Sequence, residues 1–353
     1  MQTRPAAPAR LARGLNLSHW FAQSVRGYGP DHLAGFVTDR DLDRLVEAGF
    51  THVRLGLEPS VLFDQTGGEP RLVAAVLEAL EAALDRIGTR GLATVLDLHP
   101  VGSSKEPLLT PAGAGALVDR WAVLARHLAS HRGGDLFLEI LNEPEPMRGD
   151  AWWALQDQAL RSIRDAGATG PVIVNGGGWS GVDDLVGRRG YADRNVIYTA
   201  HCYAPLLFTH QAADWTWDVA KAIGNLPWPI APSDAHREAT VAATDERARG
   251  FLRAEIEGGR FTREALVADL DRLAAWARAE GGAAIYIGEF GVYAKAAPRS
   301  ARLSWMRASR EGFELRGFGW AAWDNSPGFG ILASDSRDGR LDSATLTALG
   351  MSA

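Results

Sequence analysis

The stretch AAIYIGEFG, residues 283–291, decides how this chain folds. Residues 284–287 are a short apolar run, read as a buried strand, and Gly288-Glu289-Phe290-Gly291 closes it. An acid at the mouth of an apolar strand sits where burial and neighbours set its pKa. Upstream, LFLEILNEP at residues 136–144 ends the same way, in Asn142-Glu143-Pro144. Two glutamates that each close a hydrophobic strand read as a matched pair, provided the rest of the chain brings them together.

Working outward, strand-like runs recur at 13–17, 52–57, 92–98, 136–141, 171–175, 195–200, 284–287 and 317–323. Helical patterns separate them at 39–48, 70–87, 111–130, 151–166, 239–257, 262–280 and 298–311, with a last helix from 342. The caps fit this division. Thr38 or Asp39 opens the first helix and Gly49 stops it, while Thr110 precedes a first-turn Pro111. Strands alternating with helices predict an α/β protein with a parallel sheet, and eight such units fit a closed (β/α)8 TIM barrel better than an open sheet. No glycine-rich dinucleotide or P-loop run follows any strand. Residues 1–12 read as a loose tail and 13–353 as a single catalytic domain. The stretch 204–237, after the sixth strand, is irregular and rich in Trp and Pro, too long for a plain connection and so read as a functional loop.

Composition narrows the function. The formal charge of −6 over 353 residues offers no basic surface for nucleic acid. Lysine occurs only at 105, 221 and 295, so positive charge is almost all arginine. No run approaches the roughly eighteen apolar residues of a membrane span. The single cysteine, Cys202, has no partner for an intrachain disulfide and reads as an apolar side chain. The N-terminus lacks the apolar core of a signal peptide. The compartment therefore stays open: secreted or periplasmic if a leader has been removed, otherwise cytoplasmic. Twelve tryptophans exceed what packing alone asks of this length, and sugar stacking is the other common use of spare indoles.

In a (β/α)8 barrel the strand C-termini converge on one face, where active sites lie. Polar groups expected there are Arg54 on strand two, His99 after strand three, Asn142 and Glu143 after strand four, His201 and Tyr203 after strand six, and Glu289 after strand seven. A carboxyl pair suits acetal cleavage, one acid protonating the departing oxygen and the other attacking the anomeric carbon or activating water. A catalytic metal is not expected, because the chain has no HExxH and no close acidic cluster. No cofactor is expected either.

The chain resembles glycoside hydrolase family 5, the cellulase-like retaining glycosidases. The motifs that carry the likeness are HVRLGLEP around Arg54, LDLHP with His99, Asn142-Glu143-Pro144, HCYAP with His201 and Tyr203, IGEFG with Glu289, and AAWDN with Trp323. The resemblance implies Glu143 as acid/base and Glu289 as nucleophile. It implies Asn142 as the partner of the sugar 2-hydroxyl, His99 and His201 as orienting neighbours, and Trp323 as the platform under the cleaved sugar. Arg54 and Tyr203 are expected to donate to Glu289. Glu143 must be protonated first and ionised second, so its pKa is expected to be raised in the free protein. Trp20, Trp179 and Trp320 are further subsite candidates, with core packing as the competing reading for each. The expected substrate is a β-linked oligo- or polysaccharide, cut by an endo-β-1,4-glucanase. β-Mannanase, β-1,3-glucanase and exo-β-glucosidase are the alternatives within the family, and a non-catalytic carbohydrate-binding barrel is the alternative outside it.

Overall fold

Strands and helices alternate along the computed structural model, which describes residues 8–64, 68–129, 135–326, 328–333 and 340–352. The strands are β1 (Gly14–Asn16), β2 (His52–Leu57), β3 (Ala93–Leu98), β4 (Leu136–Glu139), β5 (Val172–Asn175), β6 (Val196–Cys202), β7 (Ala284–Phe290) and β8 (Gly319–Ala322). All pair in parallel in chain order, and β8 pairs back onto β1, so the sheet is a closed barrel with helices between the strands. This is the (β/α)8 architecture expected from the alternation.

Period-two alternation builds the barrel wall. Along β3, Ala93 and Val95 point inward, whereas Leu96 and Leu98 join the layer between sheet and helices. The inward set continues with Asp97 and then His99. Beneath them, Ala93, Val95, Phe137, Ile173, Ile197, Tyr286 and Ala321 fill the lower barrel. Leu11 plugs this floor from a 3-10 turn, Ala9–Leu11, and is fully buried. Such burial of one leucine contributes roughly 1.5–3 kcal/mol. Residues 9–11 are therefore part of the packed barrel rather than of a loose tail, while residues 1–7 of the expected tail lie outside the described residues.

Two strands run further than the apolar runs suggest. β6 continues to Cys202 and β7 to Phe290, each past a register shift, after Ala200 and after Ile287 respectively. Such irregularities re-aim side chains at a barrel rim. Here they set His201 directly opposite Glu289. Other strand ends are extended by single backbone bonds: His99 N–H to Leu57 O at 2.7 Å, Asn142 N–H to Leu98 O at 2.8 Å, and Trp323 N–H to Phe290 O at 2.9 Å.

The helix Asp39–Ala48 has the expected bounds, with a Thr38–Asp41 capping box and Gly49 at φ 96°. Three departures stand out. The loop before Thr38 contains a short helix, Pro30–Gly35, opened by its proline. The segment between β6 and β7 is also more ordered than its composition suggests, with short helices at Leu206–Thr209 and Asp218–Lys221. The single helix expected at 239–257 is two, Ala235–Ala242 and Glu246–Glu257, divided where Ala243 becomes extended and Asp245 caps the second.

Candidate active site

Arg54 is the hub. It projects from β2 into the barrel and is only 1% exposed. All five of its N–H hydrogens are engaged. Nε donates to Glu139 Oε2 and Nη2 to Glu139 Oε1, both at 2.8 Å, which is a bidentate fork. Nη2 also donates to Asn142 Oδ1 at 2.9 Å, and Nη1 donates to Asn16 Oδ1 at 2.9 Å and Glu289 Oε1 at 2.8 Å. Burial alone would lower the pKa of this guanidinium, but the carboxyl groups around it, Glu139 and Glu289 among them, raise it well above the ordinary value. It is a fixed cation beneath the cleft.

Glu289 receives a second donor. Tyr203 Oη–H donates to its Oε2 at 3.0 Å. Burial, with the charges of Glu289 and Glu143, pushes the Tyr203 phenol well up, so it stays protonated and donating. Glu143 stands opposite, where the chain leaves β4. Its φ is 36°, a left-handed conformation that strains a residue with a Cβ. His201 Nδ1 lies 2.8 Å from Glu143 Oε1 and 3.6 Å from Glu289 Oε2. One oxygen from each glutamate and the His201 nitrogen all lie within 4.8 Å of one another. Eight of the residues expected at this face gather there: Arg54, His99, Asn142, Glu143, His201, Tyr203, Glu289 and Trp323.

The environments of the two glutamates differ, and one expectation is corrected. Burial pushes Glu143 up, but the hydrogen bond and charge of His201 outweigh it, helped by Lys105 and His99, and the net direction is down. The same pairing acts on His201. Burial would lower it, and Glu289 and Glu143 together raise it. In the unliganded site the two groups share one proton with the balance towards His201, and Glu143 is not the high-pKa acid expected from sequence. The partner that decides this is an imidazole two strands away.

His99 and Trp323 form one wall. Their rings stack 5.7 Å apart at 19°. His99 Nδ1 lies 2.8 Å from Asp97 Oδ2, and burial lowers the imidazole to about 4, so it is neutral. Trp179 is 55% exposed, with Lys105 Nζ 5.2 Å from its ring centre. This leaves Trp179 available to a ligand. Trp20 and Trp320 are corrections to the expected subsite set. Both are 0% exposed. Trp20 donates its Nε1–H to Leu33 O at 2.8 Å, and Trp320 packs edge-on to Phe290 at 5.6 Å. Neither offers a ring face to the cleft, because strand-end position does not fix which way an indole points. Cys202 is buried and pushed up to about 12, which agrees with an apolar role.

Glu143, His201 and Glu289 are the group among the described residues close enough to hold a metal ion. Arg54 Nη1, 2.8 Å from Glu289, places a permanent positive charge where a cation would have to settle.

Three buried polar residues, Asn16, Asp97 and Glu139, were not among the expected site residues. Their signal is present in the sequence: Asp97 lies two residues before His99, and Glu139 four before Glu143, each inside an apolar strand. A charged residue there is rare unless it is paired.

A family model described as Cellulase (glycosyl hydrolase family 5) matches residues 14–328. Endoglucanase C of Acetivibrio thermocellus is 27% identical over 319 residues, covering 88% of this chain and 90% of that protein. The mannan endo-1,4-beta-mannosidase of Cellvibrio japonicus is 26% identical over 203 residues, 55% of this chain and 41% of that protein. Among solved structures, Thermotoga maritima Cel5A in complex with cellobiose superposes with a TM-score of 0.78 at 24% identity, covering 96% of this chain and 97% of that one. A barrel closed by eight parallel strands, a carboxyl pair at its C-terminal rim and a family match across both lead to one assignment: this chain belongs to the cellulases of glycosyl hydrolase family 5 and is a glycoside hydrolase.

Proposed function

We propose that this protein is a retaining endo-β-1,4-glucanase that works by double displacement, with Glu289 as nucleophile and Glu143 as acid/base. The observation that carries the proposal is the spacing of the pair. Their nearest carboxylate oxygens are within 4.8 Å, which suits direct attack across one sugar, about 5 Å, and leaves no room for the water of an inverting site. The endoglucanases among its relatives favour glucan as the substrate.

In the first step a Glu289 oxygen bonds to the anomeric carbon. The glycosidic C–O bond breaks, and the leaving oxygen takes the proton shared by Glu143 and His201. In the second step water gives a proton to Glu143, its oxygen bonds to the same carbon, and the Glu289 ester bond breaks. Two inversions give retention. Arg54 and Tyr203 hold Glu289 by one donor on each oxygen. Because Asn142 Oδ1 is committed to Arg54, its Nδ2–H group faces the cleft to meet the sugar 2-hydroxyl. Trp323 supports the ring being cleaved.

Reducing-sugar release from carboxymethylcellulose, glucomannan, mannan and laminarin tests both substrate and class. The expected result is cleavage of carboxymethylcellulose with a rapid fall in viscosity, abolished in Glu143→Gln and Glu289→Gln. Preference for mannan or laminarin would replace the glucanase reading with a β-mannanase or β-1,3-glucanase. Sugar release without viscosity loss would indicate an exo-acting enzyme. Binding with no release from any of them would make the barrel a carbohydrate-binding protein.

A further inference from the structure

Asp97 is the one carboxylate at the Arg54 hub that receives no hydrogen from it. Its Oδ2 lies 2.9 Å from Arg54 Nη2. Yet both Nη2 hydrogens are directed to Glu139 and Asn142, and the remaining three go to Glu139, Asn16 and Glu289. Asp97 is fully buried. Its Oδ1 has no hydrogen-bond partner among the described residues. Its one hydrogen bond joins Oδ2 to His99 Nδ1, at 2.8 Å. The 2.9 Å contact with the Arg54 guanidinium favours an ionised Asp97, but a carboxylate held out of water with one hydrogen bond and one bare oxygen is disfavoured.

Charge balance points the same way. The groups facing Asp97 are Arg54 from β2, His99 beyond β3, Glu139 from β4, His201 from β6, and Glu289 from β7 with Glu143 across the cleft. Arg54 alone carries a fixed positive charge to set against three carboxylates in contact with it. Of those three, Glu139 has the bidentate fork and Glu289 has Arg54 and Tyr203, so Asp97 is the one left to take a proton.

We propose that Asp97 is a positioning residue that acts as a neutral acid, donating its Oδ2–H to His99 Nδ1 and so fixing His99 as the tautomer with Nε2–H. This inference builds on the reading of the site as a glycosidase cleft, but the state of the Asp97–His99 pair is a property of the unliganded protein. Its consequence is directional. His99 presents a donor to the cleft beside Trp323, matching the lone pair of a sugar hydroxyl, rather than an acceptor. Burial, opposed by Arg54 and reinforced by Glu289, places the Asp97 titration at about 7, so the arrangement belongs to acidic and near-neutral conditions. His99 itself, at about 4, does not compete for the proton over that range.

Long-range proton–nitrogen NMR of the wild-type protein, held between those two values, reads the tautomer without any substitution. His99 is assigned through its Cβ-to-ring correlations. The expected pattern has the proton on Nε2, and a proton on Nδ1 would overturn the proposal whether or not the protein proves to be a glucanase. Kinetics of Asp97→Asn supply a second readout. Replacing a neutral acid by a neutral amide leaves nearby titrations in place, so the shape of the pH profile below 7 should superpose on wild type. Limbs displaced to lower pH would instead mean that a negative charge had been removed, and would contradict a neutral Asp97.

Discussion

At the scale of single residues, the site is governed by who donates to whom. On the proposed mechanism, the proton that leaves with the aglycone is held jointly by His201 and Glu143, since His201 is raised and Glu143 lowered by the same contact. The pair keeps that proton until the pH passes the raised value of His201, above the ordinary histidine range near 6.5. The alkaline limb of kcat/KM is therefore expected to follow the pair. In His201→Asn no imidazole remains to hold the proton, and Glu143 alone sets the limb. It should move to lower pH by about one unit or more, towards carboxylate values. A limb that stays in place would remove His201 from the proton path. The sequence made Glu143, Glu289, Arg54, His99, Asn142, His201 and Tyr203 readable because each stands in a motif at a strand end. It did not make Asp97 or Glu139 readable as site residues, since an acid within an apolar strand gains meaning only when the guanidinium beside it is known. Nor did it disclose the resting protonation of Glu143, which depends on an imidazole from another strand.

At the scale of elements, the barrel places these groups through local exceptions to regular strand geometry. The register shifts in β6 and β7 bring His201 opposite Glu289. Gly288, next to it, leaves no space for a larger residue, because a Cβ would meet Thr199 Oγ1 at 2.8 Å. A stricter case lies at the barrel floor. A Cβ on Gly14 would overlap the ring of His52, which is itself buried and joined to Tyr286 Oη at 3.0 Å. Neither ring can swing out, so Gly14→Ala should destabilise the fold by about 3 kcal/mol, seen as an earlier midpoint in urea with little change in slope. A midpoint unchanged from wild type would show that β1 shifts freely against β2. Shifts of register and clashes of this kind are not legible in sequence, since both depend on which strand lies alongside. That Trp20 and Trp320 take the core, the competing reading of each, has the same origin. An indole near a strand end faces core or cleft according to a phase of one residue.

At the scale of the whole molecule, eight alternations sufficed to predict closure, because only a closed sheet gives every strand two neighbours and lets each helix cover the same layer. What the alternation could not supply was the order within the long excursion between β6 and β7, whose short helices are set by tertiary contacts rather than by periodicity. Closure is also what makes the chemistry feasible. It joins residues 143 and 289, far apart in sequence, across a gap of one sugar, and sets beneath them a cation that no solvent screens. The central claim is that these two glutamates act on opposite sides of one anomeric carbon with a covalent intermediate between two displacements. The most direct measurement is the anomeric configuration of the sugar first released from a β-linked cello-oligosaccharide, followed by proton NMR before mutarotation sets in. The account predicts that the β-anomer appears first and the α-anomer grows in later. An initial burst of α-anomer would mean a single displacement by water, and would contradict it.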